Sequence, residues 1–194
     1  MELYLRRRIN LKWRDTELQA AKAESIVAAY QRVRVSDKSL IDTSRKEKLQ
    51  HWSPPPVNCF KLNVDAAINS NDQMVGLGAV IRNSEAKVVA AGVQISSLKG
   101  GVSYAEAEAI QWGFQVAKEA SISSLIVESD CLEVVELINN TKGSRIEIFW
   151  VIAEIQKQSK QFQKCTIQHV PKTCNAHAYN LAKFGLQGKI MLSG

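Results

Sequence analysis

The sequence predicts an α/β fold, a five-stranded mixed sheet with helices on both faces, on the strength of three observations. Three runs with strand-like alternation follow one another between residues 58 and 95, separated only by short polar turns, which marks an antiparallel meander. From residue 103 onward, helical spacing alternates with two short β runs, which implies right-handed crossovers and parallel neighbours. The 194 residues are 45% hydrophobic and 23% charged, enough for one core of ordinary size plus an appendage and too ordered a composition for disorder to dominate.

The appendage comes first. Between Trp13 and Val35 the residues Leu18, Ala21, Ile26, Ala29, Tyr30 and Val33 recur at helical spacing without Pro or Gly, which predicts one amphipathic N-terminal helix. Residues 1–50 carry 12 Lys/Arg against 7 Asp/Glu, so most of the net charge of +6 belongs to this basic extension. Arg6, Arg7 and Arg8 are suited to nucleic-acid phosphates or to other anionic partners, and equally to a solvated tail. "HWSPPPV" at 51–57 reads as a stiff linker, because successive prolines neither donate backbone hydrogen bonds nor enter a helix.

The domain proper spans residues 58–187, with a short tail at 188–194. Its strands are expected at 58–67, 75–82 and 87–95, with "NSNDQ" and "NSEA" as turns. Phe60, Leu62 and Val64 alternate with Lys61, Asn63 and Asp65, the period of a strand buried on one face. Gly76 and Gly78 in the second strand permit twist or a close backbone approach. Helices follow at 103–120, 131–139, 146–161 and 175–186, and the remaining strands at 124–128 and 165–170.

No apolar run approaches the roughly 20 residues of a membrane span, and the N-terminus lacks a signal-peptide core, so an intracellular protein, nuclear or cytoplasmic, is expected. Cys59, Cys131, Cys165 and Cys174 show no CxxC pairing, which argues against zinc and disulfides and for buried reduced thiols.

Three acids stand at comparable places in the pattern. Asp65 lies near the end of an apolar strand, where an unpartnered charge is costly. In "SYAEAEAIQWGFQVA", Glu106 shares a helical stripe with Ile110, Gly113 and Ala117, whereas Glu108 lines up with Gln111 and Gln115; Glu106 is therefore the inward acid and Glu108 the solvent-facing one. Asp130 sits between a buried strand and the next helix, and with Glu133 it also fits a capping box. Carboxylates gathered at strand ends repel one another unless a cation neutralises them, and an all-oxygen set suits Mg²⁺ or Mn²⁺.

Taken together, "KLNVDAA", "GLGAVIR", "AEAEAIQWGFQVA", "LIVESDCLEVVELI" and "HVPKTCNAHAYNLAK" resemble the type 1 ribonuclease H domain, in its plant retroelement-derived, reverse-transcriptase-like branch. The resemblance covers about residues 52–187 and leaves out residues 1–50. It implies the ribonuclease H-like sheet, and metal-dependent endonucleolytic cleavage of the RNA strand of RNA–DNA hybrids. It also implies Asp65, Glu106 and Asp130 as catalytic ligands of two Mg²⁺. Helical periodicity and the resemblance select the same glutamate.

The fourth ligand departs from the pattern. The family's "N-x-x-x-D-x-L-A-K" has an aspartate where "NAHAYNLAK" has Tyr179, while Asn175, Leu181, Ala182 and Lys183 keep their places. A phenol with a pKa near 10 is a poor Mg²⁺ ligand, so the second metal is expected to bind less well, with Mn²⁺ better tolerated. The alternative reading is an inactive, nucleic-acid-binding module of the same fold. His169 and His177 are no secure match to family positions. Recognition of a hybrid requires reading 2′-hydroxyls across a shallow minor groove, for which Asn63, Ser103 and Asn175 are the candidate contacts. The N-terminal helix remains a candidate for a protein partner or self-association.

Overall fold

The computed structural model describes residues 51–140 and 146–190, so the expected N-terminal helix and the final residues of the tail lie outside the described residues. Five strands form one sheet: β1 (Phe60–Asn69), β2 (Met74–Arg82), β3 (Val88–Ser97), β4 (Ser124–Ser129) and β5 (Lys164–His169), in the order β3-β2-β1-β4-β5. The first three pair antiparallel, and β4 and β5 join parallel to β1 and to each other. Helix α1 (Val102–Glu119) leads into β4; α2 (Leu132–Asn139) and α3 (Ile146–Ser159) carry the chain to β5; α4 (Lys172–Ile190) ends it.

The turns form as their residues dictate. The Asn69 side-chain oxygen accepts from the amides of Asn71 and Asp72, and that of Asn83 accepts from Glu85 and Lys87. These bonds reproduce a backbone turn with a side chain, which is why Asn recurs at such corners.

Strand β1 is the centre of the sheet, and both of its faces are covered. Leu62 and Val64 pack into the main core with Ile110, Phe114 and Leu125 on the α1 side. Lys61, Asn63 and Asp65 are also buried, at 8%, 0% and 4% exposure, where one-sided burial was expected. Their cover is α4 together with the proline-rich segment ahead of β1.

That segment is docked rather than a free spacer. Pro55 is buried, and the Trp52 indole donates to Glu128 Oε2 over 2.8 Å while the Arg82 guanidinium lies 3.4 Å from its ring centre. A stiff polyproline stretch keeps its shape without internal hydrogen bonds, and the Lys61 ammonium, donating to the Ser53 carbonyl over 2.9 Å, ties it down beside the Trp52 anchor.

Helix α4 lies against β2 because that strand lacks side chains there. A Cβ at Gly78 would sit 2.3 Å from the Ala178 carbonyl oxygen, and one at Gly76 would sit 2.2 Å from that of Ala182. Of the two expected uses of these glycines, close backbone approach is the one realised. Helix α4 begins at Lys172, three residues before the expected start, directly after Pro171, a residue that favours helix N-termini.

Two further expectations change. Glu108 is buried at 9% exposure and pairs with Lys99, because β3 widens the sheet beyond the central stripe of α1; Trp112 on the same side lies against Gly92 of β3. The Asp130–Glu133 capping box does not form. Cys131 is the residue that precedes α2, it makes no side-chain cap, and Glu133 instead accepts from the Ser103 hydroxyl. All four cysteines are free, with Cys59 and Cys174 buried and Cys131 and Cys165 partly so. Among the described residues no helix is long and apolar enough to cross a membrane.

Candidate metal centre

Parallel pairing brings the first two acids together. Asn63 of β1 lies opposite Glu128 of β4, and this is the last matched pair of those strands. Asp65 and Asp130 are each two residues further on, so the strand period of two carries both to the face that bears Asn63 and Glu128. Asp65 is the sixth residue of the ten-residue β1, rather than at its end as expected, but it stands where the parallel partner stops.

Glu106 arrives from the first half of α1, held on the sheet by the buried stripe of Ile110, Gly113 and Ala117 that its periodicity predicts. Carboxylate oxygens of Asp65, Glu106 and Asp130 all lie within 4.8 Å of one another. The structure therefore brings the three sequence-predicted acids into one group.

Helix α4 supplies the brace. Asn175 Nδ2 donates to Asp65 Oδ2 (2.9 Å), Asp130 Oδ1 (2.8 Å) and the Val64 carbonyl (2.8 Å), three acceptors for two hydrogens. One amide thus fixes the spacing of two carboxylates. Asn175 and Asn63, expected as substrate contacts, are 1% and 0% exposed, with their amides bonded inside the protein. Ser103 is partly buried at the start of α1 with its hydroxyl on Glu133.

The electrostatics report crowding. Burial, reinforced by the charge of Asp130, pushes the Asp65 carboxyl up to about 8. Burial, reinforced by Asp65 and Asp130, pushes Glu106 up to about 9, with the Ala66 amide and Lys172 pulling the other way. Glu106 Oε2 is buried with no hydrogen-bond partner among the described residues. An orphaned carboxylate oxygen beside two more carboxylates fits a hard divalent cation, which supplies the missing positive charge and accepts only oxygen ligands.

Tyr179 follows Asn175 by one turn of α4, is 45% exposed, and has the Lys183 ammonium 5.2 Å from its ring centre. His177 is partly buried two residues before it, and His169 is exposed at the end of β5 beside Ser129.

Sequence reasoning missed the polar layer under the site. Glu128, 1% exposed, accepts from Trp52, Asn63 and Gln168 and pairs with Lys61 at 2.8 Å. Its signal was present in the chain: a Lys and a Glu, each inside an apolar strand, require one another once both strands are buried.

A five-stranded mixed sheet of this order, with carboxylates gathered where β1 and β4 part, defines a ribonuclease H-like domain. The family model described as reverse transcriptase-like matches residues 63–185, more than half of the chain, and the protein belongs to that family. No curated protein sequence matches it. Solved structures with the same fold include ribonuclease H1 of the halophilic archaeon Halobacterium salinarum, at 18% identity and a TM-score of 0.62 over 66% of this chain and 98% of that one. The N-terminal ribonuclease H domain of a Mycobacterium tuberculosis protein aligns at 20% identity and TM-score 0.61, over 70% of this chain and 98% of that chain. LC11 ribonuclease H1, solved in complex with an RNA/DNA hybrid, aligns at 15% identity and TM-score 0.60, over 68% and 99%. At these identities the likeness establishes the fold.

Proposed function

We propose that the protein is a divalent-cation-dependent nuclease that cleaves the RNA strand of RNA–DNA hybrids. The observation that carries this reading is the convergence of Asp65, Glu106 and Asp130 to within 4.8 Å. A similar fold that holds an RNA/DNA hybrid supports the choice of substrate.

Asp65, Glu106 and Asp130 would hold the cation, Mg²⁺ or Mn²⁺ by the chemistry of their oxygens. When bound, it supplies charge neutralisation at a phosphodiester and a water of lowered pKa. The chain does the rest. Asn175 keeps Asp65 and Asp130 at a fixed separation, so little reorganisation is needed on binding. Glu106, whose second oxygen has no partner among the described residues, is the acid with coordination capacity to give. Ser103, at the start of α1, stays a candidate contact for the hybrid backbone; Asn63 and Asn175 act as supports beneath the acids.

A second reading is favoured by Tyr179, which stands one turn beyond Asn175 where the family pattern has an acid. In that reading the domain binds nucleic acid with a weakened or absent second cation and little turnover. A cleavage assay on a labelled RNA–DNA hybrid, with Mg²⁺ and Mn²⁺ in parallel, decides between them. Cleavage lost in Asp65→Asn supports the nuclease. Activity with Mn²⁺ alone points to the weakened second cation, and hybrid binding without cleavage in either metal rejects the nuclease in favour of the binding module.

A further inference from the structure

A chain of hydrogen bonds links the proline-rich segment to the carboxylates. The Trp52 indole Nε1 donates to Glu128 Oε2 over 2.8 Å, and the same oxygen accepts from Asn63 Nδ2 over 3.0 Å. Asn63 Nδ2 also lies 3.3 Å from Asn175 Oδ1, and the other end of Asn175 ties Asp65 to Asp130. A second route starts on the same ring: Arg82 stacks 3.4 Å from the Trp52 ring centre and donates to Asn63 Oδ1 over 2.6 Å.

These two contacts of Trp52, beside a third from the Lys61 ammonium 5.5 Å from its ring centre, converge on Asn63. Its amide nitrogen has two hydrogens and three acceptors within reach, namely Glu128, Asn175 and the Cys174 carbonyl at 3.4 Å. How those hydrogens are shared depends on how well Glu128 is satisfied by its other donors. Removing the indole N–H leaves Glu128 Oε2 with Asn63 alone, which draws that amide toward Glu128 and away from Asn175. The indole N–H thus helps dock the segment and also satisfies the Glu128 oxygen that Asn63 shares.

We propose that Trp52 is a positioning residue for the candidate metal centre: through Glu128 and Asn63 it orients Asn175, and so sets the cation affinity of Asp65 and Asp130. This inference rests on the cation-binding part of the function proposed above. It makes the segment ahead of the sheet part of the site's support.

The test is Mn²⁺ titration by calorimetry on the full chain, which needs no turnover. Trp52→Phe keeps a ring over Arg82 and removes the donor; the expected result is roughly tenfold weaker Mn²⁺ binding, the scale of a lost supporting bond at a metal site. Asn63→Ser is expected to weaken binding comparably, and the double variant no further than Asn63→Ser alone. Trp52→His, which returns a ring N–H, is expected to recover part of the loss. Thermal melts without metal fix an assay temperature at which each variant is folded.

Parent-like Mn²⁺ affinity in Trp52→Phe overturns the proposal. So do additive losses in the double variant, or equal losses in Trp52→Phe and Trp52→His. A parent that binds Mn²⁺ no better than Asp65→Asn defeats the cation reading itself, and this proposal with it. Tight parental binding that vanishes in Asp65→Asn but is untouched in Trp52→Phe defeats the positioning role alone.

Discussion

Asp65 carries the largest share of what single residues decide here, because it touches all three neighbours of the cluster: the charge of Asp130, the amide of Asn175 and the field at Glu106. Asp65→Asn removes one of three crowded charges, and Mn²⁺ binding and cleavage are expected to be lost. The metal-free fold, in contrast, is expected to melt higher at pH 8, where the parent is under strain. Near-parental cleavage by Asp65→Asn would reject its place in the site. Tyr179 sets the opposite experiment. Tyr179→Asp adds a carboxylate one turn beyond Asn175, and roughly tenfold tighter Mn²⁺ binding is expected from one more charged oxygen ligand. A variant whose Mn²⁺ titration and hybrid cleavage both match the parent's would show that this position lies out of reach of the cation.

At the scale of elements, the site depends on how closely α4 rests on β2. Asp65 pairs in register with Gly78, and the Ala178 carbonyl of α4 comes down onto that glycine, so the same contact that seats the helix places Asn175 beside Asp65. In Gly78→Ala the new methyl would meet backbone, which cannot rotate away. We expect a loss of about 1–3 kcal/mol, the usual range for overpacking, with a fall in cleavage larger than the loss of folded protein explains. Urea unfolding together with the hybrid assay measures both; an unchanged midpoint would mean that α4 does not depend on the bare strand. Element boundaries were legible to within a few residues because hydrophobic period and turn chemistry are local. The lengthening of β1 to Asn69 and the earlier start of α4 were not, since strand pairing and helix docking decide where an element stops.

At the scale of the molecule, the carboxylate cluster links stability to pH. Asp65 and Glu106 have ordinary values of 3.8 and 4.5, raised in the folded chain to about 8 and about 9. The folded state therefore holds protons on these two groups that the unfolded chain has released, and the stability they contribute is fully present below about pH 4 and declines as pH rises toward 9. Without metal, the melting temperature is expected to drop from pH 5 to pH 9, and saturating Mn²⁺ is expected to recover it at the alkaline end. Calorimetry in both conditions checks this, and a pH-independent melt in the metal-free protein would contradict it. Charge distribution gives a second whole-chain prediction. Residues 51–194 carry 13 Lys/Arg against 12 Asp/Glu, so the basic extension supplies most of the phosphate attraction available. Removing residues 1–50 is expected to weaken hybrid binding at low salt and flatten its salt dependence. A salt slope identical to that of the full chain would assign the attraction to the domain.

The sequence by itself determined the class of sheet, the order of its elements and the three acids, because alternation, helical stripes and motif spacing are properties of neighbours along the chain. It also singled out Glu106 over Glu108, since Ile110, Gly113 and Ala117 share the stripe of Glu106. Only the tertiary structure decided that Asn63 and Asn175 are buried with their amides bonded inside the protein, that Glu108 is buried against Lys99, and that Trp52 belongs with Glu128. The reason is physical: which polar groups are buried together depends on which strands and helices come to lie side by side, and residues 76 positions apart leave no local mark of that meeting.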